Sequence, residues 1–196
     1  VAPRRFRGQK YWAKPLPSFG DAAARVLIVG LAPAAHGGNR TGRIFTGDAS
    51  GDFLFQALHR TGFASAPRSV SRDDGLKVGG ALITAAVRCA PPQNRPSREE
   101  LDTCRPFLIR EVAALKKLRV LVALGGVAFE ACLKALKAAG VEIPKPRPRF
   151  SHGAEFRLGR YVLLGSYHPS QQNTFTGKLT LPMIVAVFAR ARRLAR

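Results

Sequence analysis

Arg25-Val-Leu-Ile-Val-Gly-Leu31 decides the fold. It is a short apolar run without polar alternation, closed by glycine, which is the pattern of a strand buried on both faces. Three more such runs follow: Gly80-Ala-Leu-Ile-Thr-Ala-Ala-Val87, Val120-Leu-Val-Ala-Leu124 and Tyr161-Val-Leu-Leu-Gly-Ser166. Helical spacing separates them, first in Asp52-Phe-Leu-Phe-Gln-Ala-Leu-His-Arg60. Ser97-Arg-Glu-Glu100 is a capping box, Ser at the N-cap and Glu three residues on, so a helix starts there. Pro106 predicts a kink or a split in that helix near Cys104. Another helix follows Gly125-Gly126 to about Ala138, and a last one begins near Leu181 with Pro182 in its first turn. Pro144, Pro146 and Pro148 mark a surface linker. Apolar strands alternating with helices imply an α/β fold, a three-layer α/β/α sandwich with a central four-stranded parallel sheet. With no repeat and no composition break, residues 1–196 read as a single domain, in which 1–24 form an irregular basic arm.

The chain has 196 residues, with 32 Lys and Arg against 12 Asp and Glu, a formal net charge of +20. At 46% apolar residues it has the material for a core, so the charge does not signal disorder. Its longest apolar run, about ten residues, is half of what a membrane span needs. A folded domain this basic predicts a polyanionic partner, most simply nucleic acid. Anionic membrane is the alternative, but no basic amphipathic helix with a bulky aromatic face supports it. Three cysteines (Cys89, Cys104, Cys132) cannot all pair, and no signal peptide is seen, so a reducing, cytoplasmic setting is expected. Val rather than Met opens the chain, and an N-terminal segment is expected to precede it.

In open parallel sheets, ligands bind beyond the carboxyl ends of the strands. Two loops at such ends are long and polar. One is Gly30-Leu-Ala-Pro-Ala-Ala-His-Gly-Gly-Asn-Arg-Thr-Gly-Arg-Ile-Phe-Thr-Gly-Asp48, and the other is Ser166-Tyr-His-Pro-Ser-Gln-Gln-Asn-Thr-Phe-Thr-Gly-Lys178. Neither is a nucleotide motif. Gly177-Lys178 is followed by Leu179, with Gln172 where a P-loop needs its first Gly, and Gly30 opens no Gly-x-Gly-x-x-Gly. The first loop instead offers glycines (Gly37, Gly38, Gly42, Gly47) that let backbone approach a ligand, together with Phe45 and Asp48. Phe45 reads either as a platform for a flat heteroaromatic ring or as a core anchor, and Asp48 either as a working carboxylate or as an N-cap. The second loop offers His168, a donor to an oxygen gaining negative charge, stiffened by Pro169.

These two loops, with Arg88-Cys-Ala-Pro-Pro92 and Cys104 between them in order, closely resemble the family 5 (B-type) uracil-DNA glycosylases over nearly the whole chain. The resemblance implies a monofunctional base-excision enzyme. Such an enzyme flips uracil, and with it hypoxanthine or other deaminated bases, out of double-stranded DNA and hydrolyses the N-glycosidic bond to leave an abasic site. It implies Phe45 stacked on the base and His168 bonded to the base oxygen that becomes anionic. Gly30, Ala32, Pro33, Ala34 and Asn173 fall at base-pocket positions. Arg40, Arg43, Pro169, Ser170, Gln171, Gln172, Phe175 and Lys178 fall at DNA-contacting positions, with Ser170 to Phe175 in the minor groove. Ala32-Pro-Ala-Ala35 lacks the Asp or Asn that most of the superfamily carries, so Asp48 is the expected group to orient water or support the sugar cation. Thr84-Ala-Ala86 stands where many relatives read uracil with Asn, which fits broad base tolerance. Cys89 and Cys104 match two ligands of the family's 4Fe-4S cluster; the other pair, a Cys-x-x-Cys near the N-terminus, is absent from this sequence. Cys132 shares a helical face with Phe129, Leu133 and Leu136 and reads as core. A monomer is expected. The competing readings are a non-catalytic DNA-damage-binding protein, the superfamily's abasic-site crosslinking branch, and a lyase using Lys178. The +20 charge is read as phosphate neutralisation for scanning DNA, with Arg4, Arg5, Arg7, Lys10 and Lys14 in the arm.

Overall fold

The computed structural model describes residues 3–196, with Arg5 described in its backbone alone. The first two residues of the arm and the Arg5 side chain therefore lie outside the described part. The strands are β1 (Phe19–Gly20), β2 (Val26–Gly30), β3 (Ala81–Ala85), β4 (Val120–Leu124), β5 (Glu155–Leu158) and β6 (Tyr161–Ser166). The helices are α1 (Gly38–Thr41), α2 (Ala49–Arg60), α3 (Arg98–Ala114), α4 (Gly126–Ala138), α5 (Gln171–Phe175) and α6 (Leu181–Leu194).

All six strands form one sheet in the order β1-β3-β2-β4-β6-β5. This corrects the expected four-stranded sheet. The four apolar runs are its parallel centre, and β1 and β5 are added antiparallel at the two edges. The edge strands escape sequence reading for different reasons. β1 is two residues long, and Gly20 is what lets it close on β3, since a Cβ there would stand 2.3 Å from the Ala81 carbonyl oxygen. β5 carries Glu155 and Arg157 and joins β6 through Gly159 and Arg160, a Gly-led two-residue hairpin. A short strand and a charged one also leave little edge on which another chain could pair.

Alternate residues of the central strands face opposite layers. Val26 and Ile28 of β2 join Leu54, Phe55 and Leu58 of α2 and Ile184 and Phe188 of α6. Leu27 and Val29 join Leu108 and Val112 of α3 and Phe129, Cys132 and Leu133 of α4. Cys132 is fully buried in this second layer, and burial pushes its thiol pKa up.

Ser97 forms the expected capping box, its Oγ accepting from the Glu100 amide at 3.1 Å while its own amide donates to Glu100 Oε2 at 2.7 Å. The expected split at Pro106 does not occur, and α3 runs continuously through it. Pro106 and Asp102 are both exposed, so water can satisfy the carbonyl that the proline leaves without an amide.

The N-terminal arm is tied down rather than loose. Arg88 accepts the Leu16 amide at its own carbonyl, 2.8 Å, and its guanidinium donates to the Leu16 carbonyl at 2.8 Å and to Glu111 of α3 at 2.5 Å. Trp12 and Ala13 amides bond the Arg40 and Asn39 carbonyls, which lays the arm across the first long loop. Among the described residues no helix is long and apolar enough to cross a membrane.

Phe129 is fully buried, with the rings of Phe150 and Phe156 edge-on at 5.8 and 5.9 Å. Phe129→Ala should cost about 3–5 kcal/mol of stability, read from denaturant midpoints at unchanged slope.

Candidate active site

The chain passes from β2 to β3 on one side and then crosses back to β4 on the other, so the order switches beside β2. The crevice of such a sheet lies outside the carboxyl ends of the strands on either side of the switch. Both long loops gather there.

The two rings expected to do chemistry sit over two glycines. A Cβ on Gly30, at the end of β2, would stand 2.7 Å from Phe45 Cζ, so the Phe45 ring occupies the space this glycine leaves. Just beyond the end of β4, the Cβ of His168 lies over Gly125, 3.5 Å from where a side chain there would begin. The rings meet with centroids 6.0 Å apart and planes 34° off parallel. Phe45 has φ +51°, a left-handed conformation that a bulky residue holds only when its surroundings impose it. Part of that imposition is Gly51 of α2, where a Cβ would meet the Phe45 carbonyl oxygen at 2.1 Å. Phe45 is thus a core residue, at 8% exposure, held against His168. Burial pushes the His168 pKa down to about 4, so near neutral pH its ring is an uncharged donor and acceptor rather than a cation.

Asp48 caps α2, its Oδ1 accepting the Gly51 amide at 2.9 Å. Its other oxygen, Oδ2, lies against Gly37, where a Cβ would stand 1.8 Å away. Burial raises its pKa, opposed by the Gly51 and Ser50 amides; Asp52 raises it further and Arg40 lowers it. The N-cap reading of Asp48 therefore holds, and the residue also lines a cavity. That cavity, about 460 Å³, is walled by Ala34, Ala35, His36, Gly37, Arg40, Asp48, Asp52, Asn94, Gln171 and Phe6 among others. It lies beside the Phe45–His168 pair rather than around it. His36, Asp52 and Asn94 were not singled out by sequence reading, although Asp52 stands one helical turn after Asp48. Tyr11 of the arm hydrogen-bonds His36 Nδ1 at 2.9 Å, so the arm props this wall.

The remaining expected residues divide. Ala32 is half-buried, Pro33 buried, and Ala34 turns the loop by accepting the Gly37 and Asn39 amides. Thr84 and Ala85 at the end of β3 are buried and present no amide side chain. Asn173 holds the second loop from behind, its Nδ2 donating to the His168 carbonyl at 2.8 Å, which is not the base contact expected of it. Arg43 must be corrected as a DNA contact. It is 4% exposed, paired with Asp74 at 2.5 Å, bonded to Ser69 and Thr46, and stacked over Phe19. Arg40 is half-buried, with its guanidinium on the His36 and Gly47 carbonyls and over the Phe6 ring. Pro169 is buried, Ser170 half-buried, and Gln171, Gln172 and Lys178 exposed. Phe175 is 80% exposed, a large apolar side chain standing out of the short α5. Lys178 Nζ lies 4.9 Å from the centre of the Tyr167 ring.

Cys89 is exposed and Cys104 half-buried. Partial burial raises the Cys89 thiol pKa, with Cys104 and Glu100 acting in the same direction. A 4Fe-4S cluster takes four thiolates. Among the described residues no group of three or more His, Cys, Asp or Glu is placed to hold a metal, so these two cysteines do not by themselves fit the cluster.

The family model of the Uracil DNA glycosylase superfamily matches residues 17–192. A type-5 uracil-DNA glycosylase of Mycobacterium bovis is 51% identical over all of this chain and 72% of its own length. Those of Thermus thermophilus and Pyrobaculum aerophilum are 52% and 48% identical, over 98% and 96% of this chain and 85% and 80% of theirs. With half of all positions shared from end to end and both crevice loops inside the matched span, the chain belongs to the uracil-DNA glycosylase superfamily, in its type-5 family.

Proposed function

We propose that this protein removes uracil, and with it hypoxanthine and other deaminated bases, from double-stranded DNA by hydrolysis of the N-glycosidic bond. The observation that carries the reading is the Phe45–His168 pair, an aromatic face beside an uncharged hydrogen-bond donor at the switch point of the sheet. The flipped base stacks on Phe45 with its carbonyl edge toward His168. As the bond from the sugar breaks, the electron pair leaves with the base, and the oxygen that gains charge receives the His168 hydrogen bond. A neutral donor suits this step, because it stabilises a developing anion without having to give up a full charge. Asp48 holds the attacking water through Oδ2, or supports the positive sugar, while Oδ1 stays on the helix. Water supplies the hydroxyl that replaces the base, and its remaining proton goes to the departing base anion, leaving an abasic site, a neutral free base and an intact strand. Thr84 and Ala85 carry no side-chain amide with which to read the uracil edge, which fits a broader tolerance of bases.

Phe175 is the wedge that occupies the space the base vacates, and Lys178, Arg40, Gln171, Gln172 and Ser170 hold the flanking backbone, with Pro169 stiffening their loop. The chain works as one domain and as a monomer, in the compartment that holds DNA. A 4Fe-4S cluster on Cys89 and Cys104 requires two further thiolates from outside residues 3–196. No step of the reaction runs through it.

On a uracil-containing duplex, alkali-labile product without spontaneous strand cleavage, covalent adduct or a mere gel shift is expected. His168→Ala should slow single-turnover excision about 10²–10³-fold, the cost of losing one oxyanion donor. Asp48→Asn keeps the helix cap but removes the charge, and should slow excision about 10²-fold at nearly unchanged melting temperature. An Asp48→Asn rate equal to wild type would remove the carboxylate from the mechanism. Lys178→Ala should weaken binding alike on all sequences and flatten the salt dependence by about one phosphate contact.

A further inference from the structure

The second loop leaves β6 along a segment that the reaction does not use, residues 151–154. These residues run beside the strand end as a clamp. The Gly165 amide donates to the Ala154 carbonyl and the Gly153 amide to the Gly165 carbonyl, both at 2.9 Å. A Cβ on Gly165 would stand 2.4 Å from the Ser151 carbonyl oxygen, so the approach depends on that glycine. At the end of the clamp, His152 Nδ1 accepts the backbone amide of Tyr167 at 3.2 Å. The two rings stack, 5.1 Å apart and 28° from parallel, with Phe150 edge-on to Tyr167 at 6.2 Å. Tyr167 immediately precedes His168, whose carbonyl is held from the other side by Asn173.

We propose that His152 is a positioning residue for His168: as a neutral imidazole it locks the Tyr167 amide and ring, and so sets where the His168 side chain stands over Gly125. The inference rests on the reading of His168 given above. An imidazole can accept at Nδ1 only while that nitrogen carries no proton, so protonation turns the acceptor into a second donor facing an N–H. The lock is therefore a function of pH. The groups that face His152 are Glu155 of β5 and Arg190 of α6, which share a cavity of about 310 Å³ with it, and Tyr167 itself, with Lys178 beyond the Tyr167 ring. Glu155 and Arg190 bind each other through two hydrogen bonds, at 2.8 and 2.9 Å, and so largely cancel. Burial lowers the His152 pKa from its usual 6.5, which keeps the acceptor form at neutral pH. The lock is complete above pH 6.5 and is lost as pH falls through the lowered value.

Two substitutions separate the ring from the acceptor. His152→Phe keeps a stacking ring and has no acceptor. His152→Asn keeps an acceptor on the δ atom, at nearly the same reach, and does not titrate. His152→Phe should lower the single-turnover excision rate roughly 10–100-fold with little change in DNA affinity, the scale of a misplaced reacting group. His152→Asn should recover most of that loss, and its rate should hold to lower pH than that of wild type. Asp48 and His168 titrate in both proteins, so the difference between the two profiles belongs to His152. Hydrogen exchange at the Tyr167 amide gives a readout independent of activity: faster in His152→Phe, protected in wild type and His152→Asn. Faster exchange with no base released by any of the three would overturn the glycosylase reading and leave the lock standing. Wild-type exchange and wild-type rate in His152→Phe would overturn the lock itself, as would an Asn variant as slow as the Phe variant.

Discussion

The site depends on backbone standing bare at the carboxyl ends of two adjacent strands. Gly30 and Gly125 have no side chains, and the Phe45 ring and the His168 Cβ occupy what that leaves. A methyl group on Gly30 alone would overlap the Phe45 ring and displace it from the crevice. The same rule of close approach recurs one layer out. Gly51 admits the Phe45 carbonyl, Gly37 admits the Asp48 carboxylate, and Gly165 admits the clamp that carries His152. A chain of bare backbone positions thus determines how near the working groups come to one another. The sheet supplies the rigidity, because β2 and β4 are buried on both faces and cannot shift without disturbing two cores.

Electrostatics then divides the basic residues into two kinds. In a chain with net charge +20, few acids are available, and the structure uses some of them to hold inner arginines. Asp74 holds Arg43 under the first loop, and Glu111 holds Arg88 under the N-terminal arm. These arginines are structural, since each ties together segments distant in sequence. Exposed arginines are paired as well, Arg147 with Glu130 and Arg190 with Glu155, but 32 basic residues against 12 acidic ones leave most of the basic charge uncompensated at the surface. Burial keeps His168 uncharged, in the direction that a surplus of positive charge would also favour.

Much of this was legible in the residues because it is local. The four apolar runs could be read as strands, since a strand buried on both faces needs nothing but apolar side chains. The capping box at Ser97 could be read because both of its bonds lie within one turn. The loops after β2 and β6 stood out by their length and polarity, and their resemblance to a glycosylase family named Phe45, Asp48 and His168 together. Arg43 and Arg40 could not be told apart in this way. Both are arginines in one loop, and only the fold sends the first inward to Asp74 while the second stays beside the cavity. β5 was missed because its charged alternation suits an edge strand, and an edge is defined by its neighbour. Tyr11 and His36 are 25 positions apart, and nothing local pairs them.

By itself, then, the sequence determined the layered α/β architecture and the basic character, because each follows from composition or from spacing within one element, and it marked the two long loops by their length, their polarity and their resemblance to a family. Only the tertiary structure decided which groups meet. It set the Phe45 ring against His168, placed the two oxygens of Asp48 on the Gly51 amide and against Gly37, laid the arm against His36, and placed His152 behind Tyr167. Those contacts join segments from different parts of the chain, and their distances depend on how two cores pack across one sheet.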